Sequence, residues 1–170
     1  TTYNLLLRHP LYEGADRLGT KDIFVVVIGS SRIAQEFVKA SLWCGQMKDF
    51  TFKMRIIDGG GMEDEFKRVY GDLKKDAQAA GIILDYDFDK IDVASSGFAE
   101  VLAKYRKEAN YYFVATDDDE LTMNISEMVR VNVAREKINN EMPVIVPIIG
   151  NMDYYQIAKN FISADDYIEY

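Results

Sequence analysis

Between a run of six apolar residues and a stretch of helical periodicity lies the segment Gly29-Ser30-Ser31-Arg32-Ile33-Ala34. In a phosphate-binding turn of this pattern the first small residue makes the tight bend. The second lets the backbone approach a pyrophosphate, and the third lets helix and strand pack closely. The amino end of the following helix then offers unpaired amides and the positive end of its dipole. Here glycine holds the first position, Ser31 the second and Ala34 the third. A methyl group at Ala34 still permits close packing, whereas the Ser31 side chain either crowds a pyrophosphate or donates its hydroxyl to one. Asp58 comes 24 residues after Ala34, at the end of the next apolar run, and Gly59, Gly60 and Gly61 follow it. A carboxylate there can accept hydrogen bonds from both hydroxyls of an adenosine ribose and would repel the extra phosphate of NADP. The two features together predict a small-molecule nucleotide, NAD(H) or an adenine nucleotide. The competing reading is that Gly29 only turns the chain and Asp58 caps a glycine-rich loop.

Other residues with chemical potential read more blandly. Tyr155 and Lys159 have the spacing with which short-chain dehydrogenases lower a tyrosine pKa. The same spacing recurs at Tyr70 with Lys74 and at Tyr86 with Lys90, so it carries little weight. Asp117, Asp118, Asp119 and Glu120 could offer oxygen ligands to a hard cation, but carboxylates at a helix start also stabilise the amino-terminal dipole end without any metal. His9 is the single histidine, which leaves no basis for a multi-histidine metal site. Cys44, beside Trp43, is the single cysteine and is expected to pack as a small hydrophobe rather than to act as a nucleophile.

These residues must be positioned by alternating strands and helices. Ile23 to Ile28 is a continuous β-branched and aromatic run of the kind that forms a strand buried on both faces. A helix follows, with Ile33, Phe37, Val38, Ser41 and Leu42 on one face, and Gly45 as its stop. Phe52 to Ile57 predicts the second strand, and Glu63 to Gln78 a second helix closed by Gly81. Ile82 to Phe88 predicts the third strand and Gly97 to Lys107 the third helix. Tyr111 to Ala115 predicts a fourth strand, after which a helix starts in the acidic cluster and runs to about Ile138. Val144 to Ile149 is the fifth strand, placed at a sheet edge because Pro147 lacks an amide donor. The pattern predicts an α/β, Rossmann-like three-layer sandwich. Its five-stranded parallel sheet has order 3-2-1-4-5, with helices on both faces. Residues 23–149 form this domain, 1–22 an irregular lead-in, and 150–170 a terminal helix and loop.

The 170 residues suffice for one domain, and 48% hydrophobic with 28% charged residues is a globular composition. No apolar run approaches the roughly 18 residues of a membrane helix, so no membrane insertion is expected. Twenty basic side chains against 28 acidic ones leave a net charge of -8 with no basic stripe, which argues against nucleic acid as a partner. A lone cysteine points to a reducing, cytoplasmic setting. Position 1 is threonine and no signal-peptide pattern follows, so the chain is expected to be a fragment that contacts other domains of its parent chain. The tyrosines from Tyr154 onward, with Ile157 and Phe161, suggest a segment that covers an edge or a second subunit of a homodimer.

Gly29 to Ala34, Asp58 and Val114-Ala-Thr-Asp-Asp-Asp-Glu-Leu-Thr-Met-Asn124 together resemble the TrkA-N family, also called RCK amino-terminal domains. These are NAD-binding regulatory domains of bacterial potassium uptake systems and channels, and similar modules occur in larger bacterial proteins beside unrelated domains. The likeness covers about Ile23 to Ile149, and the stretch with Thr116, Asp118, Glu120 and Asn124 is its most telling part. The resemblance implies that Gly29, Ser31 and Ala34 form the phosphate turn, Asp58 the ribose carboxylate, and Thr116 with Asp117 the wall beside the nucleotide. Serine for the second glycine and a long polar second helix depart from that pattern. A ligand-sensing regulatory domain without catalysis of its own is the expected function. A ligand-free interaction module is the alternative, and an NAD-dependent oxidoreductase stands third.

Overall fold

The apolar run after the first twenty residues forms strand β1 (Asp22–Ile28), completely buried from Ile23 onward. A computed structural model describes residues 2–136, 141–150 and 168–169. In it β1 pairs in parallel with β2 (Thr51–Asp58) on one side and with β4 (Tyr111–Val114) on the other. Strand β3 (Tyr86–Lys90) pairs with β2, and β5 (Val144–Ile149) pairs with β4. The core is thus an all-parallel sheet in the order β3-β2-β1-β4-β5, the expected Rossmann-like topology, with a short strand β6 (Ile168–Glu169) added beyond β5. Because β1, β4 and β5 are covered on both faces, their residues pointing one way join one core and their neighbours the other.

Val25, Val27, Met54, Ile56, Tyr111 and Phe113 face helices α1 (Thr2–Arg8), α2 (Tyr12–Leu18), α3 (Arg32–Cys44), α4 (Met62–Tyr70) and α5 (Leu73–Ala79). Phe24, Val26, Ile28, Tyr112 and Val114 face α6 (Ser96–Tyr105) and α7 (Asp119–Ala134). Within the first core the Phe37 ring lies flat on Phe113, centroids 3.8 Å apart, which seats α3 over the centre of the sheet.

Several boundaries differ from the sequence expectation, each for a physical reason. The lead-in is not irregular. Leu5 and Leu6 bury one side of α1, Gly14 and Ala15 bury one side of α2, and Gly19 ends α2 in the left-handed region at φ 70°. The expected second helix is two helices. Gly71 interrupts it at φ 76°, and the Asp72 carboxylate starts α5 by accepting the Lys75 amide. The third strand begins at Tyr86 rather than Ile82, because its register pairs Tyr86 with Met54 and Lys90 with Asp58 at the end of β2. Ile83 is left 87% exposed in the connection. Cys44 is exposed, not packed, since the inward face of α3 is formed by Ala34, Phe37, Val38, Ser41 and Leu42. Gly45 does stop α3, yet in an ordinary right-handed conformation; a Cβ there would lie 2.3 Å from the Phe52 ring. Among the described residues β6 meets β5 only at Ile148 and Ile149, past Pro147, so within them the stretch of β5 up to the proline is an edge and its end is not. The terminal helix expected after Gly150, the tyrosines from Tyr154, and Tyr155 with Lys159 lie outside the described residues.

Asn110 fastens β4 to β1 at their amino ends. Its Oδ1 accepts the Phe24 amide at 3.2 Å and its Nδ2 donates to the Asp22 carbonyl at 2.7 Å, from a completely buried position. Replacing it by alanine strips the buried Phe24 amide of a partner and is expected to cost about 2 kcal/mol, read from urea denaturation; an unchanged midpoint would refute the role.

Burial raises the Tyr112 hydroxyl well above the ordinary tyrosine range, and burial also raises Tyr111 and Tyr105. These groups stay neutral when folded but ionise at about pH 10 when unfolded, so their contribution is whole below that pH and declines above it. Tyr112 has no hydrogen-bond partner among the described residues. Tyr112→Phe should therefore be neutral or stabilising by up to ~1 kcal/mol and should flatten the loss of stability above about pH 10, in denaturation curves compared across pH.

Candidate functional site

At the carboxyl ends of β1 and β4 the sheet reverses its winding direction, and a crevice opens there as it does in doubly wound sheets generally. Its floor is the turn after β1. Gly29 has φ 117°, and a Cβ on it would sit 2.2 Å from the Ala115 carbonyl oxygen, so only glycine fits between the two strand ends. Hydrogen bonds from the Gly29 amide to Ile57 (3.0 Å) and from the Ala115 amide to Ile28 (2.9 Å) hold that floor to both neighbouring strands.

The crevice encloses about 250 Å³ and is lined by Gly29, Ser30, Asp58, Gly59, Thr116 and Asp117, joined by Asp92, Val93, Asp118 and Leu121. Six of the residues singled out in the sequence are thus brought together. Ser31, Arg32, Ile33 and Ala34 stand behind them as the start of α3 and do not line the space.

Ser31 has a defined structural task. It is the N-cap of α3: its Oγ accepts the Ala34 amide at 3.2 Å and donates to the Ala115 carbonyl at 2.8 Å. With only 7% of its surface exposed, it neither crowds the crevice nor has a proton left to donate there. The amides of Arg32 and Ile33, in the first helical turn, have no partner within the helix by virtue of their position. The Arg32 side chain is 91% exposed and pairs with Glu36 on the helix surface.

Asp58 also bonds to its own chain. A single oxygen, Oδ2, accepts the amides of Gly60 and Met62, both at 3.1 Å, and so closes the three-glycine loop and caps α4. Oδ1 remains to accept from a ligand. Thr116 is saturated: its hydroxyl donates to the Asp118 carbonyl, accepts the Asp118 amide, and lies 2.7 Å from the Thr122 hydroxyl. Asp118 caps α7 by accepting the Leu121 amide at 3.0 Å, and Asp119 accepts the Gly150 amide at 3.1 Å. Part of the acidic cluster therefore serves helix initiation. Among the described residues no group of acidic, histidine or cysteine side chains is arranged to hold a metal ion.

Among the described residues four carboxylates, those of Asp58, Asp92, Asp117 and Asp118, line the crevice and no basic side chain does. Asp92 and Val93 escaped the sequence reading because they follow a strand whose end was placed two residues early, at Phe88. The 2.7 Å bond from the Ile91 amide to the Asp58 carbonyl draws that connection over the crevice. His9 lies at the opposite end of the sheet, where its carbonyl accepts the Tyr111 hydroxyl at 2.8 Å. No helix among the described residues is long and apolar enough to cross a membrane.

No protein-family pattern, characterised protein or solved structure matches the chain, so the chemistry of the crevice rests on its own residues. Removing the Ser31 hydroxyl in Ser31→Ala should cost about 1 kcal/mol, and Ser31→Gly only a few tenths of that unit. An unchanged midpoint for Ser31→Ala in thermal denaturation would show that the cap contributes nothing.

Proposed function

We propose that residues 23–149 are a regulatory module that binds an adenine nucleotide or NAD(H) in the crevice between the ends of β1 and β4. The observation that carries this reading is the placement of Gly29 and Asp58 on one cleft, at the point where nucleotides enter doubly wound sheets. In this reading the Gly29-Ser30 backbone approaches the phosphate. The amides at the start of α3 receive it, Asp58 Oδ1 accepts the ribose hydroxyls, and Thr116 with Asp117 form the wall. The resemblance of Thr116, Asp118, Glu120 and Asn124 to the TrkA-N pattern supports the same assignment.

Size and charge narrow the ligand. A space of about 250 Å³ falls just below the roughly 300–1,000 Å³ usual for small-molecule sites. Four carboxylates without a basic partner penalise each additional phosphate. An adenine mononucleotide with few phosphates, or the adenosine half of NAD(H), fits better than NADP. Among the described residues the lining offers neither histidine, cysteine nor lysine, and we read the module as a sensor that passes a conformational change to the rest of its chain.

A second reading, a ligand-free interaction module, is favoured by one specific observation. Ser31, which stands where the turn pattern has its second glycine, and Oδ2 of Asp58, the carboxylate expected at the ribose, both bond to the protein itself. Thermal shift with AMP, ADP, ATP, NAD and NADH at millimolar concentration separates the two: stabilisation by at least one supports the sensor, and none supports the ligand-free module. Asp58→Asn keeps an oxygen for the Gly60 and Met62 amides but replaces the second by a donor. It should weaken an adenosine ligand about tenfold while leaving the melting temperature of the free protein nearly unchanged.

A further inference from the structure

Apolar side chains scattered singly over a surface are ordinary. Here three aromatic rings from three helices converge instead. Tyr3 of α1, 67% exposed, Trp43 of α3, 46% exposed, and Tyr70 at the end of α4 line one hollow of about 330 Å³, together with Glu36, Lys39 and Ala40. Glu36, Lys39, Ala40 and Trp43 fall three and four residues apart. They therefore share the outer face of α3, opposite the inward face of Phe37, Val38, Ser41 and Leu42. Ala40, between Glu36 and Trp43, is small enough to leave the hollow open.

The hydrogen-bonding capacity of this hollow is one-sided. Tyr70 is held by Phe66, with ring centroids 4.9 Å apart, and by the Lys39 ammonium, 4.6 Å from its centroid. Burial first, and then the charge of Glu36, raise its hydroxyl above the ordinary tyrosine range, so it stays a neutral donor. Among the described residues neither that hydroxyl, nor the hydroxyl of Tyr3, nor the indole N–H of Trp43 makes a hydrogen bond, and Lys39 makes no ion pair. An indole N–H and an ammonium can only donate. The one carboxylate of the hollow, Glu36, is already paired with Arg32 at 3.2 Å. Donors are in surplus, acceptors are few, and the faces between them are apolar.

A ligand that matches presents acceptors without donors on an apolar frame. A sugar carries a donor on every hydroxyl, and an anion gains from Lys39 what it loses to Glu36. A run of prolines has carbonyls and no amide N–H. In its polyproline II conformation no carbonyl is used internally, so each is free to accept. One turn of that helix, three residues, rises about 9 Å. Glu36 and Trp43 are separated by about 10 Å along α3.

We propose that the hollow of Tyr3, Trp43 and Tyr70 docks an extended, proline-rich peptide segment. Its pyrrolidine rings pack on the aromatic faces, and its carbonyls accept from the Trp43 N–H and the tyrosine hydroxyls. None of these residues lines the nucleotide crevice, and the test uses no nucleotide.

Trp43 is the single tryptophan of the chain, so its emission reports on this hollow directly. Titration of the full chain with acetyl-decaproline amide should give a saturable change in emission, and a glycine-serine peptide of the same length should give none. In calorimetry Trp43→Ala should weaken decaproline binding at least about tenfold. Tyr70→Phe, which keeps the ring and removes one donor, should weaken it about fivefold, and both variants should keep the circular dichroism of the parent. No saturation up to millimolar decaproline would overturn the proposal. So would equal affinity for the glycine-serine peptide, or decaproline binding unchanged by Trp43→Ala. A saturable response to maltose with none to decaproline would overturn it in favour of a sugar site.

Discussion

The buried amide of Asn110 is the constraint to which most of the described fold refers. Its main chain bonds to β1 at Phe24 and receives the Val144 amide of β5, while its side chain supplies the next two bonds to β1 where regular pairing has not yet begun. One residue thus joins three strands. The first helical layer depends on it as well, because a Cβ at Gly14 would lie 1.8 Å from the Asn110 carbonyl oxygen. Helix α2 can cross the sheet there only on a glycine. Remove the amide, and a buried donor on β1 loses its partner at the point where α2, β1, β4 and β5 converge.

At the opposite end of the same two strands the arrangement is repeated with different chemistry. Gly29 lets β1 and β4 approach, and Ser31 bonds to Ala115 across the gap. The crevice is therefore a consequence of how tightly the strands are held, not a space left by loose packing. That rigidity explains why its polar groups serve two purposes. Asp58 shapes the loop that follows it with one oxygen and presents the other, and Asp118 starts α7 while lining the cleft. The concentration of acid in the crevice follows from the same economy, since helix starts and glycine loops both recruit carboxylates.

Strand order and the helical layers were legible because parallel strands buried on both faces write themselves as uninterrupted apolar runs, as in Ile23 to Ile28 and Val144 to Ile149. The glycine turn after β1 and the position of Asp58 at the end of β2 were legible from spacing alone. What was missed depends on partners distant in sequence. The helices of residues 2–18 are short, and only their contacts with the sheet reveal them. The start of β3 is set by register with β2, which overrides the apolar appeal of Ile82 and Ile83. Cys44 is exposed because the turn-by-turn rotation of α3 carries it off the inward face, a detail that a composition argument about buried thiols ignores. The choice left open at Ser31, crowding or donation, was settled by Ala115, a residue 84 positions away whose carbonyl takes the proton.

The seam between β1 and β4 has a kinetic consequence. Its two fastenings, Ser31 with Ala115 and Asn110 with Phe24 and Asp22, join residues separated by 84, 86 and 88 positions. Closing loops of that length loses chain entropy that grows as about (3/2)RT ln n, before either fastening returns anything. The segments on each side, β1 through β3 and β4 through β5, assemble from much nearer contacts. The seam is then the high-contact-order step, where the two halves of the sheet must find each other late in folding. An Asn110 or Gly29 substitution would be felt as slower closure of that seam to the extent that its bonds are already formed in the transition state. Two small polar side chains thereby set the order in which this sheet is built.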